Sequence, residues 1–158
     1  MDYTVNEVTT AVGAKQAIAS AMMVIAGPGD EVLLPIPCWV SYTEMIRLAG
    51  ATPVFVPVRQ DNYELDLDAI RAAITPRTKA IVICTPNNPT GAVYSEESLR
   101  ELADLAVKHD FFIVADEIYE KTAAAVTVWQ ADPKNNGYTS NIWVRKDQGF
   151  AQLTAMDK

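Results

Sequence analysis

"KAIVICTPNNPTGAVYSEESLRELADLAVKHDFFIVADE", Lys79 to Glu117, is the stretch on which the fold turns. It opens on "KAIVICT", a continuous apolar run without alternation, the pattern of a strand covered on both faces. Two prolines, two asparagines, a threonine and a glycine follow, a rigid turn-forming loop from Pro86 to Gly91. Ser95 is a good N-cap and Glu96 and Glu97 suit a first turn, so a helix is expected from about Glu96 through "SEESLRELADLAVKHD". "FFIVADE" is a second continuous apolar run. Strand, loop, helix and strand in this order make a βαβ unit with parallel strands.

The same alternation extends towards the N-terminus. "EVTTAV" (Glu7–Val12) is short and β-branched and reads as a strand. "AKQAIASAMMVIAG" places Ile18, Met22 and Ile25 at helical spacing and closes at Gly27, a C′ residue. "GPGD" is a turn, "EVLLPIP" a strand, "CWVSYTEMIRLAG" a helix closing at Gly50, "TPVFVPV" a strand, and "LDLDAIRAAI" a helix capped by Asp66. The expected fold class is therefore α/β, a three-layer αβα arrangement with a mostly parallel sheet and helices on both faces. After Glu120 the pattern loses its period. "DPKNNG" is a turn cluster, and "SNIWV" (Ser140–Val144) is the segment that reads as a strand.

Composition narrows the function classes. The chain has 158 residues, 49% of them hydrophobic and 21% charged, which argues against global disorder. A net charge of −7 without any basic run argues against nucleic acid. Cys38 and Cys84 lack CxxC spacing and read as free thiols suited to a reducing cytoplasm. His109, the single histidine, reads as a surface or capping residue, and no metal site is expected. "MDYTVNEV" does not read as a signal peptide, and the longest apolar segment, Ala17–Gly27, is too short to span a bilayer.

Ligands of such sheets sit beyond the carboxyl ends of the strands, which singles out Val12–Lys15, Pro35–Tyr42, Thr85–Gly91 and Ala115–Tyr119. Gly13 would open a helix whose first free amides, on Ala14 and Lys15, suit a phosphate; a plain tight turn accounts for it equally well. Asp116 ends a buried strand, where a carboxylate needs a partner, either a cationic ligand nitrogen or a structural ion pair. Without a ligand it would be strained, so that Asp116→Ala is expected to leave the free fold unharmed. Tyr119 lies three residues on, and Trp39 offers a flat face for stacking or simply fills the core.

Taken in order, "TAVGAKQAI", "PGDEVLLPIPCWVSYTEMIRLAGATPVFVPV", "AIVICTPNNPTGAVYSEESLRELADLA" and "FFIVADEIYE" resemble the class I/II aminotransferases, pyridoxal-phosphate enzymes of fold type I, in their aspartate aminotransferase-like branch. The resemblance covers Asp2 to about Lys121, a partial large domain (residues 1–121), and leaves residues 122–158 as a divergent tail. It implies a pyridoxal 5'-phosphate site in which the glycine turn and the amides of Ala14 and Lys15 bind the phosphate and Trp39 stacks on the ring. Asn88 and Tyr119 would meet the ring oxygen, and Asp116 the protonated ring nitrogen. It also implies amino-acid and 2-oxo-acid substrates and a homo-oligomer.

Two features of that family are expected to be missing. The lysine that carries the cofactor covalently would fall at Gln152 in "GFAQLTAM", 36 residues after Asp116, and glutamine cannot take its part; the tail reads equally as unrelated sequence, with Lys146 a substitute that no motif supports. The arginine that grips the substrate carboxylate belongs to a small domain with no counterpart in these residues. The expected protein is thus a truncated aminotransferase without activity. The alternatives are a non-catalytic module binding pyridoxal phosphate or a phosphometabolite, and a self-associating fragment without catalytic function; on any of these readings Ser140–Val144 is expected beside Phe111–Ala115, with self-association through an exposed edge or face.

Overall fold

The computed structural model describes residues 9–117 and, as backbone strands, residues 126–132 and 137–140. The elements run α1 (Ala14–Ile25), β1 (Glu31–Ile36), α2 (Ser41–Leu48), β2 (Thr52–Pro57), α3 (Leu67–Ala73), β3 (Thr78–Cys84), α4 (Glu96–His109), β4 (Phe112–Asp116), β5 (Val126–Asp132) and β6 (Gly137–Ser140). They build one six-stranded sheet in the order β2-β1-β3-β4-β5-β6. The first four strands are parallel, and β5 and β6 are antiparallel to their neighbours.

Local chemistry sets the helix ends. The Asp66 carboxylate accepts from the Ala69 amide at 3.0 Å, and Ser95 Oγ accepts from the Ser98 amide at 3.2 Å, each satisfying a first-turn donor. Gly50, just past α2, takes φ 86°, and the Pro28 ring would crowd a Cβ there at 3.2 Å. Gly27 is not in the left-handed region. Helix α1 ends instead on an extended Ala26, with the Gly27 amide donating to Asp30.

Alternation along the strands divides the core into two layers. Val32 and Leu34 of β1, Ala80, Val82 and Cys84 of β3 and Val114 of β4 meet Ile18 and Met22 of α1 and Tyr42 and Ile46 of α2. Leu33, Ile81, Ile83, Ile113 and Ala115 point the other way, onto Leu67 and Ile70 of α3 and Leu102 and Leu105 of α4. Leu33, Leu34 and Ile81 are fully buried, and burial of such a side chain is worth about 1.5–3 kcal/mol. Strand β2 is the outer strand on its side, half-exposed and carrying Pro53 and Pro57, as suits an edge.

Two features of this sheet position the site. Pairing of β1 with β3 stops at Leu33↔Ile81, whereas β1 stays paired with β2 to Ile36↔Pro57. The chain also reverses direction here, since β1 leads outward to β2 and β3 leads the other way to β4. A crevice at the carboxyl ends follows from that reversal.

Three expectations need correction. Residues 9–12 are not a strand, and Val12 is exposed. No edge remains for them next to β4, because β5 pairs there. The neighbour of β4 is Val126–Asp132, in register Ile113↔Trp129 and Asp116↔Val126, and not Ser140–Val144. Ser140 ends β6 and pairs with Trp129 of β5; residues 141–144 lie outside the described residues. The reason is a hairpin: "VTVW" is a β-branched and aromatic run, and the turn cluster "DPKNNG" follows it. Finally, α2 begins at Ser41 rather than Cys38, and residues 38–40 form the turn that carries Trp39.

Candidate functional site

A cavity of about 330 Å³ opens at the carboxyl ends of the strands, lined by Val12, Gly13, Ala14, Lys15, Trp39, Tyr42, Asn88 and Asp116. Six of the seven residues singled out from the sequence therefore come together. The seventh, Tyr119, lies outside the described residues, as does Gln152.

Helix α1 supplies one wall. Gly13 is its N-cap at φ 87° and ψ 169°, with no side-chain cap, so the amides of Ala14 and Lys15 open the helix towards the cavity. Only glycine adopts this backbone without strain. A Cβ at Gly13 would meet nothing within 4 Å, so the obstacle to substitution is backbone conformation and not crowding. Gly13→Ala is accordingly expected to destabilise the fold by about 1–3 kcal/mol and to blunt anion binding, as read by urea melts and a phosphate titration.

The loop after β3 supplies the second wall, and its keystone is Asn87. This side chain is buried; its Oδ1 accepts from the Thr90 amide at 3.3 Å and the Thr90 hydroxyl at 3.0 Å, and its Nδ2 reaches the Tyr94 hydroxyl at 3.4 Å. The Asn87 amide donates to Ala92 O, and Gly91, at φ 74°, donates to Asn87 O, both at 2.8 Å. The Thr85 hydroxyl accepts from the Tyr94 amide at 3.0 Å. Asn87 thus closes the turn and leaves Asn88 to line the cavity.

The floor is Asp116, 3% exposed at the end of β4. It follows Val114 by two residues and so faces α1 and α2. Its Oδ2 accepts from the Tyr42 hydroxyl at 2.6 Å. Burial first, then the Asp116 charge, drives the Tyr42 hydroxyl far above its ordinary range, so it stays a donor at any working pH. The same two causes push the Cys84 thiol up to about 11 and keep it protonated. Asp116 therefore has a protein partner, which sequence alone did not supply. Trp39 meets Tyr42 edge to face at 5.4 Å, and the Lys15 ammonium lies 5.2 Å from a Trp39 ring centre.

This arrangement sets the first amides of a helix, an aromatic face, an amide side chain and a buried carboxylate around one space, and known proteins share the sequence that builds it. Residues 1–143 match the family described as aminotransferase class I and II. The chain belongs to that family. It is 51% identical over 121 residues to a probable aspartate/prephenate aminotransferase of Thermus aquaticus, covering 76% of this chain and 32% of that protein. It is 44% identical over 122 residues to an aspartate aminotransferase of Bacillus sp. (strain YM-2), covering 77% and 31%. A solved structure of Thermus thermophilus aspartate aminotransferase with maleate superposes with a TM-score of 0.68 at 52% identity, over 71% of this chain and 30% of that one. The chain thus spans about a third of the length of the aminotransferases it matches.

Tyr42, Asn87 and Cys84 were not assigned roles from sequence. Tyr42 did fall within the segment after β1, and "PNNP" carries two asparagines of which one had to hold the turn. Cys84 had no signal of its own. Among the described residues no three His, Cys, Asp or Glu side chains gather to hold a metal, and no helix is long and apolar enough to cross a membrane.

Proposed function

We propose that the cavity is a cradle for pyridoxal 5'-phosphate and that this 158-residue chain binds the cofactor without carrying out transamination. The observation that carries the reading is Asp116, buried and held by Tyr42, lining a cavity with the uncapped N-terminus of α1. A buried carboxylate favours a cationic ligand group, and a helix N-terminus favours an anionic one, so a ligand carrying both suits the site.

Ala14 and Lys15 would bind the phosphate through their amides, Trp39 would stack on the ring, and Asn88 would donate to the ring oxygen. Asp116 would hold the proton of the ring nitrogen, with Tyr119 as a further ligand of the ring oxygen. When bound, the cofactor supplies the electron sink for chemistry at an amino acid's α-carbon. Aminotransferase chemistry moves an amino group from an amino acid to a 2-oxo acid, and with relatives named as aminotransferases the ancestral substrates of this chain fall in those classes. The free thiols Cys38 and Cys84 suit a cytoplasmic setting. The strand β6, last in the sheet among the described residues, suits a homo-oligomer.

Calorimetric titration tests the reading. Pyridoxal 5'-phosphate should bind saturably at one site per chain, at least tenfold tighter than inorganic phosphate. Equal affinity for the two would reduce the site to a phosphate pocket, and no binding by either would end the assignment.

A further inference from the structure

The carboxylate and the asparagine wall are tied together beneath the cavity. Cys84, 2% exposed, is the last residue of β3 and lies in register with Asp116 of β4. Its thiol donates to Pro86 O at 3.2 Å, and its sulfur accepts from the Asn88 amide. On its other side it lies against the Tyr42 hydroxyl, whose one proton goes to Asp116. Proton bookkeeping is consistent: Asn88 N–H points to sulfur, S–H to Pro86 O, and Tyr42 O–H to the Asp116 carboxylate. Burial keeps both the Tyr42 hydroxyl and the Cys84 thiol protonated near neutrality, so both donors of the tie stay in place.

We infer that Tyr42 and Cys84 are positioning residues that lock Asp116 and the Asn88-bearing turn into one rigid wall of the cavity. The inference rests on the pyridoxal-phosphate reading of the site. Tyr42 holds one carboxylate oxygen and favours the ionised form of Asp116. Cys84 holds the loop backbone on both sides of Asn87, so that Asn88 keeps a set height above Asp116. Among the described residues, Tyr42 from α2 and Cys84 from β3 act on Asp116, and Lys15 from α1 lines the same cavity.

The test is pyridoxal 5'-phosphate affinity across pH for four variants of the full chain, each first checked for its melting temperature. Tyr42→Phe should bind roughly tenfold more weakly at neutral pH, and the acid limb of binding should move to higher pH, because the ionised carboxylate has lost a donor. Cys84→Ala should also bind roughly tenfold more weakly, with the acid limb in place, and Cys84→Ser should restore near-native affinity because a hydroxyl both donates and accepts. If Tyr42→Phe does not fold, the Ala and Ser variants at Cys84 decide the matter. Native affinity in Tyr42→Phe and Cys84→Ala, with Asp116→Asn impaired, overturns the inference and leaves the site reading standing. Weaker binding by Tyr42→Phe with an unmoved acid limb also overturns it. If the unaltered chain fails to bind, the site reading falls and the inference with it.

Discussion

Asp116→Asn is expected to hold or raise the melting temperature of the ligand-free chain while weakening pyridoxal 5'-phosphate binding by about two to three orders of magnitude. The two effects have one origin. Asp116 is 3% exposed, and a carboxylate so placed resists burial unless a cation or several donors compensate it. Asparagine keeps an oxygen to accept from Tyr42 and removes the charge, so the hydrogen bond to Tyr42 survives in the free fold. A ligand's cationic nitrogen does lose its counter-charge, and removing one partner of a buried pair costs about 3–5 kcal/mol, against 1.4 kcal/mol per tenfold in affinity. Asp116→Ala behaves differently. It strands the Tyr42 hydroxyl in the core, at a cost of about 1–3 kcal/mol, so the expectation that alanine would be harmless does not survive the contact with Tyr42. Thermal melts and titrations of the two variants make the comparison. Unchanged affinity in Asp116→Asn would remove the carboxylate from the site.

The second large effect concerns catalysis. Turnover of aspartate with 2-oxoglutarate by the 158-residue chain should remain at the blank measured with cofactor alone. In the family a lysine joins the cofactor covalently and moves protons; its expected position here is Gln152, whose amide can do neither. Loss of a covalent catalytic group removes roughly a millionfold in rate. Gln152→Lys should not restore turnover by itself, since the chain matches only 32% of the Thermus aquaticus relative and the substrate-gripping arginine is expected elsewhere in the family's length. Turnover above the blank in either protein would contradict this reading.

How much of the molecule was legible beforehand depended on the range of the forces involved. Helix α4 and strands β1, β3 and β4 were readable because their signals are local: an N-cap at Ser95, acids in the first turn, unbroken apolar runs. The strand-end rule then collected Gly13, Ala14, Lys15, Trp39, Asn88 and Asp116, and the cavity unites them. What failed was pairing. Whether residues 9–12 form a strand depends on an open edge, and β5 took that edge. The run "VTVW" in β5 was not read as a strand, and nothing local in it names β4 as its neighbour.

By itself, then, the sequence determined the order of elements from α1 to β4, the parallel βαβ core and the places where ligand groups gather, because capping, burial periodicity and turn chemistry act over a few residues. Only the tertiary structure decided that Tyr42 holds Asp116, that Cys84 braces the Asn88 turn and that Val126–Asp132 flanks β4. Tyr42 and Asp116 are 74 residues apart, and their contact exists because α2 lies across the sheet face onto which Asp116 points. No local signal encodes such a contact; it follows from the packing of layers, which the chain reaches only when the whole sheet is assembled.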